Sequence, residues 1–187
     1  MPFLQRHLPH LYVMEQPLFV TFRLHASLPP GRKFPKESMS SGKAFVCMDR
    51  LLENHRSSPR YLQAPGIAQC VVDAIQQGAS NSYALHAWVV MPNHVHLLIT
   101  PRTDVPKLLQ KLKGSTARQA NQLLGRTGTP FWQEESYDHL VRNSQEFGRI
   151  ETYIVQNPLQ AGLVQAAEEY AWSSASKCGG GLKPAAG

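Results

Sequence analysis

The sequence is poor in cysteine and has no long apolar run, and both absences exclude classes of protein. The three cysteines, Cys47, Cys70 and Cys178, lie far apart, and no CxxC motif occurs. This spacing supports neither a disulfide framework nor a cysteine zinc site, so we expect reduced thiols in a cytoplasm. No apolar run reaches the ~18 residues that span a bilayer, and residues 1–17 lack the apolar core of a signal peptide. We therefore expect no association with a membrane.

Acidic residues are fewer than basic ones. With 19 Lys and Arg against 13 Asp and Glu, the formal net charge is +6 over 187 residues. A basic chain of this length favours a single domain with a polyanionic partner. Much of the charge lies on a predicted helix over 105–124 and just beyond it, at Lys107, Lys111, Lys113, Arg118 and Arg126. A solvated face would explain these residues, but their single sign favours a DNA-binding, phosphate-contacting face.

Apolar periodicity predicts alternating strands and helices. The expected strands are 18–24, 83–90 and 94–100 with an extended segment over 131–142, and the expected helices are 44–56, 65–77, 105–124 and 145–156. On the first of these helices the apolar face includes Leu52, and Asp49 is expected to face solvent. Gly78 is expected to cap the second helix, and Pro158 is expected to end the last one.

Two histidines flank one valine at the start of a predicted strand. Because side chains on a strand alternate, His94 and His96 project from the same face. Two imidazoles pointing the same way can share one divalent metal ion. A single histidine in a strand more often has a purely structural role, so the pair alone leaves both interpretations open.

A tyrosine and an asparagine stand four residues apart on the last predicted helix. Tyr153 and Asn157 therefore lie on one helix face and can address the same point. The asparagine oxygen is a modest third ligand for a hard divalent ion, and a cation would make the phenol a useful nucleophile. Alternatively, Tyr153 is a half-buried helix aromatic and Asn157 a turn residue before the proline. Tyr137, with His139 beside it, is the alternative nucleophile.

These two segments resemble a known family. Residues 88–99, WVVMPNHVHLLI, are similar to the His-hydrophobe-His signature of single-tyrosine transposases of the HUH nuclease superfamily. Residues 153–164, YIVQNPLQAGLV, resemble the tyrosine-bearing helix of one bacterial branch, the REP-associated tyrosine transposases. Shorter segments at 18–24, 131–133, 137–139 and 170–174 extend the resemblance over about residues 17–176.

The resemblance implies a ferredoxin-like (RRM-like) α+β fold, with a central antiparallel sheet and helices packed on it. It implies one nuclease domain over 17–176, which leaves a short extension over 1–16. The Gly-, Pro- and Ala-rich composition of residues 178–187 predicts a disordered tail over 177–187. The resemblance also implies cleavage and strand transfer of single-stranded DNA at hairpins of repetitive extragenic palindromes, through a 5′-phosphotyrosine intermediate. We expect the partner to be such hairpin DNA at the nucleoid, and the protein to be a monomer rather than a homodimer.

The resemblance also assigns roles to individual residues. Tyr153 matches the nucleophile, and His94 and His96 match the paired ligands of one Mg²⁺ or Mn²⁺ ion. Asn157 matches the third ligand, where insertion-sequence relatives more often carry Gln. On ligand softness, two imidazoles suit zinc better than magnesium. Two rival functions stay open: a non-catalytic hairpin-binding protein on the same fold, and a metal-dependent hydrolase that activates water.

Overall fold

A four-stranded antiparallel sheet organises the chain. The computed structural model describes residues 15–28, 49, 52 and 58–176. Its elements are β1 (Leu18–Arg23), α1 (Pro65–Asn81), β2 (Tyr83–Val90), β3 (His94–Pro101), α2 (Val105–Leu123), β4 (Tyr137–Leu140) and α3 (Ser144–Gln160). The spatial order is β2-β3-β1-β4, and every neighbouring pair is antiparallel. Up to β4 this is the β-α-β-β-α-β order of a ferredoxin-like fold, so the predicted α+β fold is confirmed.

The two faces of the sheet carry different side chains because strand residues alternate. On one face, Val20 and Leu97 belong to an apolar core shared with α1 and α2. On the other face, Phe19 packs in a smaller cluster with Leu52 and with side chains of α3. His96 lies on this second face, since it is the register partner of Thr21, two residues along the strand from Phe19. The sheet thus separates a large apolar core from the side that carries the histidines.

The hairpin formed by β2 and β3 places the histidines at the start of a strand, as the sequence predicts. The turn is closed by the Met91 N–H, which donates to the His94 carbonyl at 2.8 Å. The Asn93 carbonyl accepts from the Leu24 N–H at 2.8 Å, which joins the turn to the end of β1. The outer edge of β2 is covered by residues 172–174, because the Val90 N–H donates to the Trp172 carbonyl at 2.8 Å.

The prediction that Pro158 ends the last helix is wrong. Helix α3 continues through this proline to Gln160. A proline inside a helix loses one backbone donor, but the Ala161 N–H still donates to the Asn157 carbonyl at 2.9 Å. The proline ring is also buried, so apolar packing offsets the lost bond. Asn157 is consequently held in regular helix, one turn after Tyr153.

Gly78 does not cap α1, as the sequence suggested, but lies inside it. The helix runs on to Asn81 because Gly78 makes room for the ring of Tyr83, which folds back from β2. A Cβ at position 78 would lie 2.5 Å from the Tyr83 hydroxyl oxygen. That hydroxyl donates to the Ile75 carbonyl at 2.6 Å, and its burial raises the pKa of Tyr83.

Several predicted segments fall largely outside the described residues: the extension at 1–14, the loop at 29–43, most of the helix at 44–56 and the tail at 177–187. Within the 44–56 segment, Asp49 and Leu52 are described, and both are helical and buried. The expectation that Asp49 faces solvent is therefore wrong, since the residue is 2% exposed. Across the described ranges, no helix has the length and apolarity to cross a membrane.

Candidate metal centre and tyrosine nucleophile

The two histidines of β3 form the centre of the candidate site. His94 is 1% exposed and His96 is not exposed at all. Their ring centroids lie 4.6 Å apart, as expected for residues two apart on one strand face. Burying two imidazoles side by side costs solvation, so their polar atoms need partners within the protein.

The carboxylate of Asp49 contacts both imidazole rings. Asp49 Oδ1 lies 3.2 Å from His94 Nε2 and 3.2 Å from His96 Nε2. Burial alone would raise the pKa of Asp49, but His96 and His94 together outweigh it and hold that pKa well below its ordinary range. Asp49 therefore stays ionised between the two rings. The three residues form a group whose ligand atoms all lie within 4.8 Å of one another.

Sequence reasoning missed Asp49, although the signal was present. Phe45, Met48 and Leu52 lie four residues before, one before and three after this position. That spacing places Asp49 within the apolar helical face rather than opposite it. A single acidic residue inside an apolar face is a buried polar group, and such a group marks a candidate ligand.

Asn157 joins the same cluster from α3. Its Nδ2 donates to Asp49 Oδ2 at 2.9 Å, and the residue is fully buried. Its own Oδ1 is buried with no hydrogen-bond partner in the described part of the chain. Such an orphaned oxygen beside two imidazoles and a carboxylate fits the donor set of a divalent cation. The alternative role of Asn157 as a turn residue does not apply, because α3 continues beyond it.

Tyr153 lies one helical turn before Asn157 and next to the histidines. Its ring centroid is 5.8 Å from that of His96 and 6.5 Å from that of Phe19. The residue is half-buried, so one part of the phenol packs while another reaches the surface. The candidate nucleophile and the candidate metal-binding side chains are thus brought together within a single chain.

The alternative nucleophile lies on the same sheet face at the β4 edge. The ring of Tyr137 is 6.3 Å from that of Phe19. His139, two residues on, has its Nε2 2.9 Å from Glu146 Oε1 at the start of α3. Glu146 Oε2 also accepts the Arg142 N–H, and this bond contributes most to a lowered pKa of Glu146. The His139–Glu146 pair therefore joins β4 to the first turn of α3.

The Nδ1 atoms of His94 and His96, which face away from Asp49, each contact another polar side chain. His96 Nδ1 lies 2.8 Å from Thr21 Oγ1, and His94 Nδ1 lies 2.7 Å from Asn93 Oδ1. Metal-binding histidines commonly have such an outer partner on the second ring nitrogen. The arrangement directs both Nε2 atoms toward one point.

The predicted basic face divides into two groups. Three of its residues are exposed on α2: Lys107, Lys111 and Arg118. The Lys113 ammonium instead donates to the carbonyls of Gln133 and Glu134, at 2.7 and 2.8 Å. The guanidinium of Arg126 lies over the ring of Tyr61 and donates to Thr129. Helix α2 packs on the apolar face of the sheet, so the exposed group lies across the sheet from the histidines.

Comparison with known proteins gives a consistent result. The family described as Transposase IS200 like matches residues 66–157, a range that includes His94, His96, Tyr153 and Asn157. A REP-associated tyrosine transposase of Escherichia coli (strain K12) is 26% identical over 95 residues. That match covers 49% of this chain and 54% of the relative, so it spans about half of each protein.

Two solved structures are also similar. A REP-associated tyrosine transposase bound to a REP hairpin matches with a TM-score of 0.59 and 19% identity, covering 91% of this chain and 82% of the other. A putative transposase from Deinococcus radiodurans R1 has a TM-score of 0.43 and 18% identity, covering 81% and 98%. The first of these likenesses supports the fold. The chain is therefore similar to the IS200-like transposases, and the predicted resemblance to REP-associated tyrosine transposases is confirmed.

Proposed function

We propose that this chain is a metal-dependent nuclease and strand transferase that cleaves single-stranded DNA at hairpins of repetitive extragenic palindromes. The observation that carries the proposal is the convergence of two imidazoles and a carboxylate, at 3.2 Å, beside the ring of Tyr153. The similar solved transposase was bound to a REP hairpin, which supports hairpin DNA as the substrate. Residues 17–176 would form the nuclease domain.

The cation ligands would be His94 Nε2, His96 Nε2 and Asp49 Oδ1, with Asn157 Oδ1 as a fourth donor. This set differs from the sequence prediction, in which Asn157 alone completes the pair of histidines. Asn157 also holds the other Asp49 oxygen at 2.9 Å, so it would orient the carboxylate as well. A bound Mg²⁺ or Mn²⁺ would supply Lewis acidity toward a non-bridging phosphate oxygen.

Tyr153 would act as the nucleophile. Its phenolic oxygen forms a bond to the phosphorus, and the bond from the phosphorus to the 3′ oxygen breaks. The proton of the phenol is balanced by the proton that the leaving 3′-hydroxyl gains. The products are a 5′-phosphotyrosine and a free 3′-OH, so one phosphodiester replaces another and the step is reversible. A 3′-OH of a second strand can reverse it, which gives strand transfer.

The DNA-binding surface would include Lys107, Lys111 and Arg118. Exposed cations on one helix face suit the phosphates of a hairpin stem, which carry no sequence information themselves. We leave Lys113 and Arg126 out of this surface because their cationic groups bond within the chain. Since the ring of Tyr153 lies next to that of His96 in the same chain, the site is complete in one copy, and this supports a monomer. Its place of action would be the nucleoid, where its DNA substrate lies.

A covalent-adduct assay tests the proposal. Hairpin DNA labelled at its 3′ end is incubated with the protein and Mn²⁺ and then separated on a denaturing gel. A 5′-phosphotyrosine leaves the 3′-terminal fragment on the protein, so the label should migrate with the chain and require the metal. Tyr153→Phe should abolish the labelled band, whereas the matched variant Tyr137→Phe should retain it.

The other outcomes select the rival functions. Free cleavage products without a labelled protein, unchanged in Tyr153→Phe, would indicate the hydrolase that activates water. Hairpin binding without cleavage in any divalent metal would indicate the non-catalytic binding protein. A labelled band that persists in Tyr153→Phe but disappears in Tyr137→Phe would move the nucleophile to β4.

A further inference from the structure

Asn93 is a buried side chain beside the site whose contacts fix its orientation. It is 4% exposed, at the turn between β2 and β3. Its Nδ2 donates to the Leu52 carbonyl at 2.8 Å and lies 2.8 Å from Ser58 Oγ. A backbone carbonyl can only accept, so the amide nitrogen must be the atom on this side. The amide oxygen is therefore the atom that faces His94.

This oxygen determines where neutral His94 carries its proton. Asn93 Oδ1 lies 2.7 Å from His94 Nδ1. An amide oxygen has no proton to donate, so a hydrogen bond at this distance requires a proton on Nδ1. A neutral imidazole has only one N–H, and the other nitrogen, Nε2, is then left with a lone pair. Nε2 is the atom that lies 3.2 Å from Asp49 Oδ1.

Asp49 favours the opposite arrangement. An anionic carboxylate next to Nε2 would by itself attract a proton onto that nitrogen. With the proton on Nε2, however, the Nδ1 lone pair would face the lone pairs of Asn93 Oδ1 at 2.7 Å. The two partners thus compete for the proton of one ring, and the shorter contact belongs to Asn93.

We infer that Asn93 is a positioning residue, which holds neutral His94 with its proton on Nδ1 so that Nε2 presents a lone pair to a cation beside Asp49. His96 differs, because its Nδ1 faces the Thr21 hydroxyl at 2.8 Å, and a hydroxyl both donates and accepts. The Asn93 amide also holds the Leu52 carbonyl, three residues after Asp49, against the histidine strand. The inference rests on the proposed function for the cation, but the position of the proton does not depend on it.

Nuclear magnetic resonance of the imidazole nitrogens measures the position of this proton directly. Long-range ¹⁵N–¹H spectra of the metal-free chain would be recorded while the pH is raised until the ring carries a single proton. His94 should carry its proton on Nδ1 in the parent chain and in Ser58→Ala, which keeps the amide oxygen in place. Asn93→Leu should shift the proton toward Nε2.

The parent spectrum decides the inference even if Asn93→Leu does not fold. A His94 ring with its single proton on Nε2 would overturn it. An unchanged spectrum in a folded Asn93→Leu chain would overturn it as well, because Asp49 alone would then set the ring.

Binding of Mn²⁺, followed by electron paramagnetic resonance, measures the consequence for the cation. Asn93→Leu should lower the affinity about 10–100-fold, as the loss of an outer partner of a metal-binding histidine does. Ser58→Ala should stay near the parent value. Equal losses of Mn²⁺ affinity in Asn93→Leu and Ser58→Ala would contradict the inference, because Asn93 would then act only through packing. If the parent chain bound no Mn²⁺, the proposed metal-dependent function would fail, while the His94 spectrum would still decide the position of the proton.

Discussion

The two faces of the sheet use the same strands for opposite purposes. On the α1 and α2 side, alternate residues such as Val20 and Leu97 are completely buried among other apolar side chains. On the α3 side, the positions between them hold His94 and His96, equally buried but polar. Apolar burial stabilises a fold at about 25 cal/mol per Å², whereas buried charge costs free energy unless its partners compensate. One face therefore holds the larger apolar core, and the other combines a smaller apolar cluster with the candidate site.

If the two faces differ in this way, the largest effect on adduct formation should come from changing the proposed nucleophile, Tyr153. Tyr153→Phe should reduce adduct formation by about 10⁴-fold or more, since removal of a nucleophile eliminates the covalent route. The free energy of unfolding should change little, because the ring still packs against His96 and Phe19. Adduct formation is measured on denaturing gels, and stability by urea unfolding. A large loss of stability would mean that Tyr153 belongs to the core and would contradict this difference between the faces.

Asp49→Asn should have the next largest effect, on metal affinity. Loss of an outer partner alone costs about 10–100-fold, so loss of a direct charged ligand should cost about 100-fold or more. Mn²⁺ binding measured by calorimetry checks this value. Glu146→Gln is the matched control, because it removes the carboxylate of the partly exposed His139–Glu146 pair and should leave the affinity unchanged. Equal losses in both variants would contradict the assignment of the site to Asp49.

Ile75→Ala tests the face of the sheet that holds the larger apolar core. This side chain is completely buried in the apolar core on α1. Its truncation should lower the free energy of unfolding by about 3 kcal/mol, the middle of the range for large-to-alanine changes in cores. The rate of adduct formation by the folded fraction should stay at the parent level. A changed rate of adduct formation by the folded fraction would show that the two faces are coupled.

The smallest effect should come from the exposed cations of α2. Replacing Lys107, Lys111 and Arg118 together with alanine should reduce the slope of log affinity against log salt by about 2 to 3, since each phosphate contact contributes about 0.7–0.9. Fluorescence anisotropy of the labelled hairpin at several salt concentrations measures this slope. Cleavage at saturating DNA should be unchanged. An unaltered slope would exclude this face of α2 from the DNA interface.

The family resemblance predicted the α+β fold, whereas residue spacing by itself predicted only local features. The alternation of β3 placed His94 and His96 on one face, and the helical period placed Tyr153 and Asn157 one turn apart. Each of these statements concerns residues within one element, where spacing alone fixes direction.

The features that the sequence analysis missed depend on contacts between elements. Asp49 meets His94 and His96 from a distant segment, and its burial contradicts the rule that acids face water. Lys113 looked like part of a basic face, but carbonyls at 133 and 134 bind its ammonium. Pro158 continues a helix because tertiary packing outweighs local preference. These three residues show where long-range structure overrides local spacing.

The central claim is that Tyr153, next to the His94–His96–Asp49 group, forms the covalent bond to DNA. Mass spectrometry of the adduct, after digestion with trypsin and nuclease, identifies the modified residue directly. The account predicts a nucleotide phosphate on the peptide that contains Tyr153, formed only when a divalent metal is present. A modified Tyr137, or cleaved DNA with no modified peptide at all, would contradict it.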